Sequence, residues 1–162
     1  MVESLSYRAV EYRDFEKICI LPQNAEDLFF MFPKAEYPFT KNQFEATVNS
    51  RFDSTVFLFN EELVGFANFY EVIEQQYCSI GNVIVDSNHR NIGIGEYIVK
   101  TMECIGVEKY KVQEFHVSCF NTNTKGLLLY SKLGYKPYET ERRINKENKT
   151  CVLIKLKRNI NE

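Results

Sequence analysis

The stretch from Tyr77 to Gly106 constrains the fold more than any other. Residues 77–85 form an apolar strand-type run with Gly81 in its middle, and a glycine inside such a run marks a bulge or a place where something approaches the backbone closely. From Gly93 the period changes: Ile94, Ile98, Met102 and Ile105 recur at helical spacing, one face of a helix predicted to stop near Gly106. A strand therefore turns into a helix across Asp86–Gly93.

The remaining elements follow from weaker local signals. Leu5–Val10 alternates as a first strand, after which Asp14 is placed to cap a short helical turn. Asn24, Glu26 and Asp27 open a helix whose apolar side is Leu28, Phe29, Met31 and Phe32 and which Pro33 ends. Thr40 and Gln43 have capping-box spacing at the head of a helix over residues 41–51. Residues 55–59 and 63–71 read as a hairpin turned at 60–62, residues 115–119 as a strand, and residues 124–133 as a helix stopped by Gly134. Residues 135–143 and 150–157 close the chain as two strands around a turn at 145–148. The order is β-α-α-β-β-β-α-β-α-β-β, a mixed α/β pattern without internal repeat.

Composition narrows the class of function. At 162 residues the chain is read as one domain, 1–162, and with 44% hydrophobic and 26% charged residues it has the make-up of an ordinary globular protein. A formal net charge of −2 supplies no broad basic field for nucleic acid. No apolar run approaches the roughly 18 residues needed to span a bilayer, and the first fifteen residues lack the apolar core of an export signal, so the expectation is a cytoplasmic protein without membrane attachment. Five cysteines, an odd set without a CxxC pair, fit a reducing compartment. No Cys/His cluster has metal spacing, so no metal is expected. An exposed sheet edge is compatible with a homodimer.

The turn Asp86–Gly95 carries the chemistry. Amides at a helix start lack internal acceptors and lie at the positive end of the helix dipole, so such a turn binds an anion with backbone alone. Glycines at 93 and 95 would let a diphosphate come close, and Arg90 adds a positive charge at the mouth. The spacings of a Walker loop and of a dinucleotide fingerprint are both absent, which sets other phosphate-bearing nucleotides aside.

Val83-Ile84-Val85 followed by Arg90-Asn91-Ile92-Gly93-Ile94-Gly95 resembles the R/Q-x-x-G-x-G/A motif of the GNAT superfamily of acetyl-CoA-dependent N-acetyltransferases. Asn123 to Tyr135 is similar to that superfamily's second signature, N-x-x-A/G-x-x-L-Y-x-K-x-G-F/Y. The resemblance covers residues 55–140 well and the first 50 only in layout. It implies a mostly antiparallel sheet of about seven strands, splayed between strands 4 and 5, with about four helices. It implies coenzyme A lying across that opening, between residues 77–85 and 115–119. Its pantetheine would pair with the backbone at Val83–Val85, its diphosphate would sit on the amides from Arg90 to Gly95, and Asn123 would contact the pantetheine or hold the second helix start. Tyr130 would be the general acid.

The chemistry of a phenol suits that role. Attack of an amine on a thioester expels a thiolate whose conjugate acid has a pKa near ~8.5, to which a phenol with pKa near ~10 can donate. Activation of the nucleophile is less legible, because a lysine-like amine must lose a proton at a cost of about 4 kcal/mol at neutral pH. Family members often use a carboxylate near the bulge or on the next strand; here that region offers Asn82, His116 and Ser118, none of them a carboxylate. His116 and Ser118 share a strand face, and if it looks toward the opening His116 could relay a proton. His89 is read as a solvated loop residue. Cys78 and Cys119 are read as small core residues. Tyr37, in the loop 33–39 between the first two helices, is a candidate for the acceptor mouth, where Glu36 could attract a cation. The expected function is transfer of an acetyl group from acetyl-CoA to a primary amine by direct attack in a ternary complex. The alternative is a non-catalytic acyl-CoA-binding sensor or regulatory module.

Overall fold

A computed structural model describes residues 4–162. The chain forms β1 (Leu5–Ala9), α1 (Phe15–Cys19), α2 (Ala25–Met31), α3 (Lys41–Ser50), β2 (Phe52–Phe59), β3 (Glu62–Ile73) and β4 (Tyr77–Val85), followed by α4 (Ile94–Tyr110), β5 (Glu114–Phe120), α5 (Thr124–Lys132), β6 (Lys136–Ile144) and β7 (Thr150–Asn159). One sheet runs in the order β1-β2-β3-β4-β5-β7-β6. All neighbours are antiparallel except β4 and β5.

Several elements differ from the sequence reading for local reasons. Asp14 does not cap the helix that follows it: its carboxylate accepts from Arg8 at 2.7 and 2.9 Å and from the Glu11 amide at 2.8 Å, tying a one-turn 3-10 helix to β1, and α1 is a separate short helix. Thr40 caps α3 by accepting from the Gln43 amide, but Gln43 does not reciprocate. Its side chain instead accepts from the Glu36 amide and donates to the Glu36 and Pro38 carbonyls, fastening the 33–39 loop. Gly106 does not end α4; the Phe115 ring lies 2.5 Å from where its Cβ would stand, so the glycine lets helix and sheet close up, and the helix runs on to Tyr110. The hairpin turn falls at Asn60 and Glu61, both at positive φ, as a twisted two-residue turn requires.

The opening between β4 and β5 has a definite start. Parallel pairing runs from Tyr77↔Glu114 to Ile80↔Val117 and stops, while β4 continues to Val85 and β5 to Phe120. The β3–β4 register shifts between Asn68↔Gly81 and Phe66↔Ile84, and Asn82 sits there at φ 53°. The bulge is thus centred one residue past the glycine that signals it. Asn82 is buried with its side chain committed: its oxygen accepts from Asn68 at 2.8 Å and its amide donates to the Met31 carbonyl at 2.6 Å. That second bond fixes the end of α2 to β4, while Phe29 of α2 stacks on Phe120 of β5 at 4.3 Å. Helix α2 therefore spans the splayed strands.

The bulge also changes which face each residue of β4 serves. Cys78 and Ile80 before it, and Val83 and Val85 after it, pack into the core beneath α4 and α5. Ile84 joins the other core, with Phe44, Phe66 and Ile18 beneath α1–α3.

Candidate functional site

A cleft of about 740 Å³ lies along the splay, lined by β4 from Val83 to Val85, the head of α4, the head of α5, and α2 residues from Glu26 to Met31. The part of it whose backbone geometry suits an anion is the start of α4. The N-cap is Gly93 at φ 91°, which has no side chain to cap with, and the first backbone acceptor bond is from Tyr97 to Gly93 at 3.1 Å. By helix geometry the amides of Ile94, Gly95 and Glu96 have no intrahelical acceptor. Asn91, also at positive φ, turns the chain into this N-terminus, and Ile92 is exposed on it.

The two glycines work differently. Nothing stands within 4 Å of a Cβ on Gly93, so only its backbone conformation calls for glycine; Gly95 would meet Leu129 at 3.1 Å and serves the contact between α4 and α5. Replacing Gly93 by Ala should therefore cost about 1–2 kcal/mol from the left-handed backbone alone. For a chain of this size that is a loss of roughly 2–8 °C in melting temperature. An unchanged melting temperature would contradict the assigned conformation.

Charged side chains frame the turn. Arg90 reaches back to the Val85 carbonyl at 3.4 Å and faces Asp27 of α2 at 3.8 Å. Glu96 is held between Lys100 at 2.8 Å and Lys132 of α5 at 3.3 Å, and those ammonium groups lower its pKa. His89 is not the solvated residue expected: its side chain is 19% exposed and lies edge-on to Phe59 at 5.7 Å, because the turn folds it back over β2. Asn123 caps α5 by accepting from the Gly126 amide at 3.1 Å, the second of its two expected uses.

Tyr130 comes to the same cleft from α5. It is 7% exposed, set edge-on to Tyr135 at 6.0 Å, and its hydroxyl makes no hydrogen bond to any described residue. Burial raises its pKa well above the ordinary phenol value, and the nearby Cys119 and Tyr70 groups add to the shift. The group therefore keeps its proton at neutral pH. Cys78 and Cys119 are buried as expected, and burial pushes both thiols up to about 12, so neither is a thiolate nucleophile.

On the opposite face, beneath the ends of α2 and α3, the remaining candidates separate. Ser118, the first β5 residue beyond the parallel ladder, shares a hydrogen bond with the Tyr70 hydroxyl at 3.2 Å. His116 lies inside the closed ladder opposite Ser79, stacked on Tyr77 at 4.1 Å, with Nε2 at 2.8 Å from Glu114 and Nδ1 at 3.4 Å from the Tyr138 hydroxyl. Tyr37 is half exposed, its hydroxyl donating to the Gln23 carbonyl at 3.4 Å. Glu36 is paired with Lys146 of the β6–β7 turn at 3.2 Å. Residues the sequence reading missed are Tyr70, Tyr77, Glu114 and Tyr138. Each sits on a strand among many aromatic or charged residues, and only cross-strand register brings them beside Ser118 and His116.

Comparison with known proteins agrees with this architecture. A family model described as the acetyltransferase (GNAT) family matches residues 21–135. No curated protein matches the chain. Among solved structures, an acetyltransferase of the GNAT family from Bacillus anthracis is similar with a TM-score of 0.80 at 17% identity, over 98% of this chain and 96% of that one. The spermidine N-acetyltransferase from Vibrio cholerae, in complex with CoA and spermine, has a TM-score of 0.79 at 16% identity, over 97% and 96%. The ribosomal-protein-S18-alanine N-acetyltransferase from Escherichia coli has a TM-score of 0.74 at 17% identity, over 97% and 94%. At such identities the likeness concerns the fold.

Proposed function

Because the chain belongs to the acetyltransferase (GNAT) family, we propose that it transfers an acetyl group from acetyl-CoA to a primary amine by direct attack in a ternary complex. The observation that carries this reading is the convergence of three features on one cleft: strand backbone past the end of the β4–β5 ladder, a glycine-capped helix start, and an unpartnered buried phenol. Coenzyme A bound to the spermidine acetyltransferase of this fold supports acetyl-CoA as the donor, and the spermine in that complex supports a small-molecule amine as the class of acceptor.

In this reading the amides from Arg90 to Gly95 hold the diphosphate, with Arg90 beside it, and the backbone at Val83, Ile84 and Val85 pairs with the pantetheine. Asn123 keeps α5 in place, so that Tyr130 is positioned by a helix rather than a loop. The neutral amine attacks the thioester carbonyl from the open face, near Ser118 and Tyr70. The carbon–sulfur bond breaks, and Tyr130 gives its proton to the departing thiolate. The proton lost by the nitrogen leaves through the Ser118–Tyr70 hydroxyl pair to solvent, and solvent returns one proton to Tyr130. Tyr37 and His116 flank the acceptor side, and Asn82 contributes by holding the bulge. No step calls for a metal, and unpaired cysteines throughout the chain support a cytoplasmic setting.

Acetyl-CoA at one hundred times its dissociation constant should stabilise the fold by about 2.7 kcal/mol, and addition of an amine substrate should release free thiol. Absence of both thermal stabilisation and calorimetrically detected binding would overturn the assignment. Binding without thiol release across an amine panel would favour a non-catalytic acyl-CoA-binding module.

A further inference from the structure

We infer that the acceptor amine carries an anionic group of carboxylate type, and that Arg51 receives it. The inference rests on the reading of the cleft as an acetyl-transfer site and specifies its other substrate.

Arg51 ends α3 and is partly buried. The chain has seven arginines, and six of them have a recorded polar partner: Arg8 with Asp14, Arg13 with Glu11, Arg90 with Asp27, Arg142 with Thr150, Arg143 with Glu141 and Arg158 with Glu103. Among the described residues Arg51 alone has none. Its guanidinium sits 5.5 Å above the Tyr70 ring. Burial disfavours its charge, and the one group that acts the other way is Tyr70, not a carboxylate. A guanidinium withdrawn from water is ordinarily paired, and its planar fork matches a carboxylate through two parallel hydrogen bonds.

Its location makes this a substrate feature. Nη1 lies 3.0 Å from where a Cβ on Gly81 would stand, and Gly81 is the first β4 residue past the parallel ladder. Glycine there lets the Tyr70 ring, 2.7 Å from the same point, and the Arg51 guanidinium close onto β4 beside the opening. Tyr70 in turn meets Ser118, the first β5 residue past the ladder. Arg51, Tyr70 and Ser118 thus form a row across the mouth of the splay, on the face opposite the helix start that binds the cofactor. An acceptor with its amine at Ser118 and its anionic substituent on Arg51 belongs to the class of amino acids and related amino-oxyanions. The same arginine repels polyamines, since a second cation would have to lie against it.

The test is steady-state acetylation of matched pairs, each an amino acid and the amine left when its carboxylate is removed: L-methionine with 3-(methylthio)propylamine, L-leucine with 3-methylbutylamine, and L-lysine with cadaverine. Wild-type protein should prefer the amino acid in at least one pair. Arg51→Gln should lower kcat/KM for that amino acid about 10–100-fold, mainly through KM, as expected for loss of a charged hydrogen-bonding partner. It should leave the decarboxylated amine within about threefold and acetyl-CoA affinity unchanged, and Arg51→Lys should restore part of the loss. Equal effects on both members of a pair, preference for the simple amines, or no turnover of any pair by protein that binds acetyl-CoA would overturn the inference alone. Failure of wild-type protein to bind acetyl-CoA would overturn the acetyl-transfer reading with it.

Discussion

Tyr130→Phe is expected to lower kcat by about 10²–10⁴-fold while leaving acetyl-CoA affinity within a factor of about two, the range for removal of a general acid. The substitution deletes one oxygen from a side chain whose ring is packed against Tyr135 and whose hydroxyl bonds to no described residue, so it opens no void and orphans no partner. A fall in kcat with little change in binding would therefore report on proton donation rather than on folding. The pH profile gives an independent reading. With the Tyr130 pKa raised by burial, the donor form persists to higher pH than in a free phenol, so its ionisation removes no activity between about pH 6 and 9. Over that interval kcat/KM should climb as the acceptor amine loses its proton. A descending limb centred below about pH 9, present in wild type and absent from Tyr130→Phe, would mean that the phenol ionises where this structure holds it neutral. Unchanged turnover in the variant would remove Tyr130 from the mechanism.

Glu103→Ala should be the most damaging substitution outside the cleft. Glu103 lies on the buried side of α4, where its carboxylate accepts from Arg158 of β7 at 2.9 Å to each oxygen and from the Tyr135 hydroxyl at 2.8 Å. Removing it leaves the hydroxyl of a buried tyrosine and one face of a guanidinium without partners. Loss of one member of a buried ion pair costs about 3–5 kcal/mol. The Arg158 side chain is 27% exposed, which favours the lower end, about 3 kcal/mol, or roughly 6–12 °C in melting temperature. Glu103→Gln keeps an acceptor for Tyr135 and should fall between the two proteins. If the alanine variant melts within a degree of wild type, this network does not anchor α4 to the sheet. The anchor matters to function because α4 presents its first turn to the cleft, and a helix loosened from β7 would hold those amides less firmly.

The amino-acid sequence by itself determined the strand–turn–helix unit from Tyr77 to about Gly106, the glycine at the helix start, an asparagine at 123 placed to cap the next helix or meet the pantetheine, and the placement of Tyr130 on that helix. These are short-range matters: apolar period, a cap three residues from the amide it meets, and a backbone angle only glycine adopts easily. Two glycines show where such reasoning ends, since Gly95 and Gly106 serve contacts with Leu129 and Phe115 that no neighbour in the chain announces. The tertiary structure alone decided what faces the mouth of the splay. The bulge at Asn82 reverses the facing of the residues beyond it, and the end of the parallel ladder at Ile80 leaves His116 inside the closed sheet and Ser118 at its rim. Arg51, Tyr70, Gly81 and Ser118 come from four strands or strand ends, and their meeting depends on register and on how α3 enters β2, which are set by packing across the whole sheet.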